Sequence, residues 1–404
     1  MLSEDAIENL IKPIITRQEN INIYVLKKIA QRINEIGKLK PSDVYKLERL
    51  LKTGSDVREI NKYLAEQTGL QVKDIKKLIR DVALDSYKDT KAFYDYRNKP
   101  FIPFAENMQL QKVVKAISDA TVQSYMNLSN SQAIGFLIRD LKHPNVLKFQ
   151  SVKKTYTSVI DEAVQATSQG ILDYNTSMRR TMEQLVNSGV RKMYWDSGYS
   201  QRLDTAVRRN ILDGVRAINQ GVQDETGKQY GADGKEITVH INPAPDHAPV
   251  QGHQFTNEEF ENLQNKKPFE DVDGRQFTAI ERAIGTLNCR HFTYSIIIGY
   301  ATPNFTDEQL QKIIDDNEAG YTLPNGKHLT MYECTQKQRQ LETLIRKNKD
   351  GQIAAKESGD EELALKYQAK VDKYTKNYKA FSQACGLAPK MKKATVAGYQ
   401  RIRK

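Results

Sequence analysis

Apolar residues recur every third or fourth position through most of the first 225 residues, a periodicity that predicts helix after helix with short breaks. In the segment opening at Ser55, Val57, Ile60 and Leu64 keep helical spacing, with Ser55 as the expected N-cap and Gly69 as the expected stop. The next run places Val72, Ile75, Leu78, Ile79 and Val82 on one face and Lys73, Lys76, Lys77 and Arg80 on the other. Pro100 and Pro103 then break the helical pattern, because proline brings no amide donor to a helix interior. A second helical block is expected from about 110 to 224. It opens on Val113, Val114, Ile117 and Thr121 and closes on the series Leu203, Val207, Ile211, Val215, Ile218 and Val222, with Arg202, Arg208, Arg209 and Arg216 on the solvated side.

The period changes after Val222. Gly227, Gly231 and Gly234 mark a turn-rich connection, and Ile237, Val239 and Ile241 then alternate with polar neighbours as a half-buried strand would. A second strand is expected at 292–298, with Phe292, Tyr294, Ile296 and Ile298 on one face. Between them, the run from Gln251 to Thr256 is echoed by the run from Asp273 to Thr278, the mark of two similar turns feeding strands. Helix returns in the last hundred residues. Tyr367, Val371, Tyr374, Tyr378, Phe381 and Cys385 make a stripe suited to a partner helix. The segment from Tyr332 to about Lys356, with Leu341, Leu344 and Ile345 on its apolar side, is the expected partner across a hinge at Ser358-Gly359-Asp360. The expected fold class is mainly α with a small α+β domain. The expected division is an elongated helical region at 1–225 with a candidate subdivision near 98–108, a compact mixed domain at 226–305, and a helical hairpin with a basic tail at 306–404.

Charge sharpens this picture at one end. Lys and Arg number 61 against 50 Asp and Glu, a net charge of +11 that favours polyanionic partners. From Lys373 onward no acidic residue occurs, so Lys390, Lys392, Lys393, Arg401, Arg403 and Lys404 form a candidate nucleic-acid-binding tail. The three cysteines, Cys289, Cys334 and Cys385, suggest no disulfide framework and fit a reducing setting. The first 17 residues carry Glu4, Asp5 and Glu8 where a signal peptide has basic residues, and no run reaches the roughly 20 apolar residues that span a bilayer.

One constellation has the residue types of a reactive or metal-binding site. His240, His247, His253, Cys289 and His291 all fall in the mixed domain, and Cys289 and His291, one residue apart, share a face if extended. His247, His253, Cys289 and His291 could together hold zinc, although the spacing is not that of the usual paired ligands. The alternatives are ordinary hydrogen-bonded histidines, or Cys289 as a nucleophile with a neighbouring histidine base. No other cofactor is indicated, and no Gly-x-x-x-x-Gly-Lys-Ser/Thr run exists to cradle the phosphates of a packaging motor.

Several stretches resemble the phage minor capsid protein 2 family, itself related to the Mu F-like head morphogenesis proteins. The resemblance rests on His247, Gln251, Gly252 and Phe255 in the first run and on Asn288, Cys289, Arg290 and His291 in the second. It continues through Tyr332, Gln336, Arg339, Leu341, Ile345 and Lys349. Two positions depart from the family pattern: His253, where lysine is expected, and Ile298 before Gly299, where proline is frequent. The resemblance implies a non-enzymatic, low-copy head protein near the portal. Its implied partners are the portal protein or the major capsid protein, and packaged double-stranded DNA bound without sequence preference. A hydrolase or transferase using the histidine and cysteine cluster, and a DNA-binding protein without a head role, are the two competing readings.

Overall fold

The computed structural model describes residues 4–38, 54–129, 131–139, 145–168, 174–271, 273–285, 289 and 291–402. The chain is mainly α-helical with small antiparallel sheets, and it forms two compact units, each assembled from three stretches.

One unit comprises Lys12–Lys73, Ser124–Arg208 and Gln338–Lys404. The helix Ser55–Lys88 runs straight through Gly69, which therefore does not stop it. A glycine costs a helix interior only about 1 kcal/mol. Two residues on, Gln71 is wholly buried, donates to the Ile14 carbonyl at 3.0 Å and accepts from Gln18 at 2.6 Å and from the Tyr125 hydroxyl at 2.7 Å. That network outweighs the local preference.

The expected helical block at 110–224 also contains a sheet that its pattern did not reveal. Strands β1 (Ile134–Arg139), β2 (Leu147–Ser151), β3 (Arg191–Tyr194) and β4 (Tyr199–Arg202) pair antiparallel in the order β2-β1-β3-β4. The central strand β1 is a continuous apolar run without period-two alternation, buried over its first three residues.

In the same unit, the helices Met331–Glu357 and Glu361–Ala384 form the expected antiparallel hairpin. Its register is fixed by buried polar rungs: Gln338 to Ser382 at 2.7 Å, Tyr378 to Glu342 at 2.8 Å and Gln352 to Gln368 at 3.2 Å. Gly359 turns the chain at φ +76°, and Asp360 caps the second helix through the Leu363 amide at 2.9 Å.

The other unit comprises Met1–Ile11, Asp74–Gln123 and Arg209–Lys337. The helices Met108–Leu128 and Leu203–Tyr230 approach closely here, because a Cβ on Gly214 would stand 2.6 Å from Thr121 and one on Gly221 would stand 2.5 Å from Ile117. Every residue of the predicted Leu203–Val222 series is buried. A three-stranded antiparallel sheet follows, with β5 (Gly234–Ile237) between β6 (Gln254–Thr256) and β9 (Thr293–Ile296), and the short pair β7 (Phe269–Glu270) and β8 (Gln276–Phe277) lies between β6 and β9 in the chain.

Both strands are shorter than the alternation implied. β5 ends at Ile237, and Ile241 is exposed. In β9 Thr293, Ser295 and Ile296 are buried, so of the predicted face Phe292, Tyr294, Ile296 and Ile298 only Ile296 is buried. Helix glutamines explain the change. Gln220 accepts from the Thr293 amide at 3.0 Å and Gln223 from the Ser295 amide at 3.2 Å, so small polar residues belong on that face.

Candidate functional site

The mixed region folds around Ile237, Val250, Phe255, Leu263, Phe277, Ile280 and Ile284. The two echoed runs build this core in parallel ways. Gly252 and Gly274 both turn the chain at positive φ, +78° and +77°, and deliver Phe255 and Phe277 into edge-to-face contact at 5.0 Å. A Cβ at Gly252 would meet Leu310 at 2.4 Å, so backbone and space both call for glycine there. The helix Asn257–Gln264 then opens on a capping box formed by Thr256 and Glu259.

Beside this core, the structure brings His247, Cys289 and His291 together. The Cys289 sulfur lies 3.4 Å from His247 Nδ1 and 3.3 Å from His291 Nδ1. The outer ring nitrogens face oxygen: His247 Nε2 is 2.8 Å from the Arg282 carbonyl and His291 Nε2 is 3.1 Å from Gln251 Oε1. Gln251 is itself locked, accepting from the His240 amide at 2.9 Å and donating to the His240 carbonyl at 3.1 Å. The ring of His240 stands edge-on to that of His291, centroids 4.3 Å apart. Asp246 holds Arg282 through two bonds of 2.8 and 2.6 Å, which places the carbonyl that receives His247.

Electrostatics divides the two histidines. Burial disfavours a charge on His247, but Cys289, the Arg282 carbonyl and Asp246 together raise its pKa. Burial pushes the Cys289 thiol up, and His247 with nearby backbone amides brings it below its ordinary value. His291 is driven down to about 2 by burial and by the neighbouring His240, His247 and Arg282, so it is neutral. The pair His247 and Cys289 has the electronic character of an activated thiol. Access is another matter: Cys289 is 6%, His247 1% and His291 3% exposed. The nearby cleft lined by Asp246, Val250, Ile280, Arg282 and Tyr332 includes none of the three.

His253 is not brought into this group. It faces the Phe277 ring at 5.5 Å and Asp307 at 3.9 Å, and burial and Arg275 lower its pKa. Asn288 and Arg290 lie outside the described residues, as do Arg403 and Lys404.

The remaining basic residues sit on an anchored segment. Arg346 and Lys349 donate to the carbonyls of Lys393 and Ala394 at 2.7 Å each, Tyr378 accepts from the Lys390 amide at 2.8 Å, and Ala394 and Val396 are buried. Lys390, Lys392 and Arg401 are exposed, Lys393 is partly buried, and Arg401 pairs with Asp372 at 3.1 Å. Sequence reasoning gave no hint of this anchoring, because its donors lie some 45 residues upstream on the partner helix.

Among the described residues no helix is long and apolar enough to cross a membrane. The chain belongs to the phage minor capsid protein 2 family, whose sequence model matches residues 2–383, and it is accordingly a structural phage protein of the virion. No curated protein and no solved structure matches it.

Proposed function

We propose that the chain is a non-enzymatic head component built in beside the portal during assembly in the host cytoplasm, where its exposed lysines meet packaged DNA. Family membership over residues 2–383 carries the reading. The net charge of +11 and the acid-free segment after Asp372 supply the DNA contact, which is electrostatic and indifferent to sequence. The burial of Cys289 beside its histidine neighbours favours structure over turnover. Portal or major capsid subunits are the direct partners in this reading.

Two measurements test it. The full chain should co-purify with portal protein at moderate salt, and failure to do so while binding DNA normally would leave only a general DNA-binding role. The double variant Lys390→Glu, Lys392→Glu alters exposed side chains and spares the buried Ala394 and Val396. It should retain clearly less linear duplex DNA on a filter at low salt, and unchanged retention would remove the segment from the DNA contact.

A further inference from the structure

We propose that His247, Cys289 and His291 are the protein ligands of a zinc ion. The three ligand atoms all lie within 4.8 Å of one another and all three residues are buried. Two ligands on one tetrahedral zinc, with about 2.3 Å to sulfur and about 2.0 Å to nitrogen, stand about 3.5 Å apart. The sulfur here stands 3.4 and 3.3 Å from the two Nδ1 atoms, the separation that sulfur and nitrogen ligands of one zinc would have.

Proton counting supplies an independent reason. Each imidazole directs Nε2 at an oxygen acceptor, the Arg282 carbonyl for His247 and Gln251 Oε1 for His291. Both Nε2 atoms must therefore carry hydrogen, which leaves two Nδ1 lone pairs aimed at one sulfur. A thiol has a single proton and satisfies one of them. Moving that proton to His247 makes an imidazolium and a thiolate, but His291 Nδ1 still faces a sulfur lone pair. A cation between the three atoms answers every lone pair at once: zinc binds the thiolate and both nitrogens, and the thiol proton leaves to solvent.

The oxygen acceptors behind the ligands complete the pattern. Metal-bound histidines usually donate their second ring nitrogen to a carbonyl or carboxylate, which fixes the tautomer and orients the ring. Both histidines do so here, and Asp246 with Arg282 forms a further layer behind His247. Three protein ligands leave one tetrahedral position, to be filled by water or by the imidazole of His240 beside His291. Because the ligands are buried, the ion is structural: it ties the turn at 244–252 to the segment leading into β9.

The test uses the full-length chain, made without an affinity tag and never exposed to chelator. Elemental analysis should give close to one zinc per chain. After stripping, cobalt titration should produce tetrahedral d–d bands and a thiolate-to-cobalt charge-transfer band, and added zinc should raise Tm by at least about 5 °C. Cys289→Ser and His291→Gln should lose the charge-transfer band and the zinc-induced rise. A folded wild-type chain with negligible metal and no cobalt spectrum overturns the proposal, as does a charge-transfer band that persists in folded Cys289→Ser. If the variants fail to fold, the wild-type metal content and cobalt spectrum decide alone.

Discussion

At the scale of single residues, three members of the resemblance motif have plain physical roles. Gln251 holds His240 and His291, Gly252 fits where a side chain would strike Leu310, and Phe255 fills the core. Gly252→Ala should therefore lower stability by about 3 kcal/mol, combining a left-handed backbone with overpacking, as read from the midpoint of denaturant unfolding. Other residues gave no warning in the sequence. Glu19, Arg202, Asp204, Arg346 and Asp350 come from three separate stretches of one unit and meet in its interior, with Arg202 3.2 Å from Asp204 and 3.3 Å from Asp350. Arg346 stands 3.8 Å from Glu19 and 3.9 Å from Asp204. Burial raises Glu19 to about 7 and Asp350 to about 6 despite these arginines, whereas Arg202 and Arg346 keep Asp204 below the ordinary carboxylate range even though burial opposes them. A carboxyl whose folded pKa is raised contributes stability that is complete below the unfolded value and is lost as pH rises through the folded one. Stability should accordingly fall between about pH 4.5 and pH 7, and Glu19→Gln should flatten that decline. Urea midpoints taken at steps across the window check this, and an unchanged slope in the variant contradicts it.

At the scale of elements, the helices were the legible part. The stripe from Tyr367 to Cys385 and its partner segment could be paired from spacing alone, because a 3.6-residue period survives over many turns. Short strands were harder. β1 to β4 are four to six residues long, too few for a period to assert itself within a helical neighbourhood, although Asp196-Ser197-Gly198 between β3 and β4 is a turn signal in plain view. β9 shows the other limit, since alternation marked the strand correctly but hydrophobicity chose the wrong face, the polar one being held by Gln220 and Gln223. The hairpin offers a sharp check. Tyr378 is fully buried, donates to Glu342 and accepts from the Lys390 amide. Tyr378→Phe strands both partners and should cost about 2 kcal/mol in chemical denaturation, while Tyr374→Phe on the same helix should cost far less.

At the scale of the whole chain, composition indicated a multi-part helical protein but could not show how the parts interleave. Each compact unit draws on three stretches, and the divisions at 11, 73, 123, 208 and 337 fall inside helices, where no linker composition marks them. Net charge, in contrast, is a property of the sum. If duplex DNA is bound through phosphate neutralisation, log K should fall linearly with log salt, and replacing Lys390 and Lys392 by Glu should reduce the magnitude of that slope by about 2. A slope that does not move would locate the contact on another basic surface.

Gln220 and Gln223 of the Leu203–Tyr230 helix have one more consequence. An open strand edge is a template on which a neighbouring chain can add its own strand. With the outward amides of Thr293 and Ser295 already taken by side chains of the same molecule, this edge of the sheet offers neither amide to a neighbouring chain's strand.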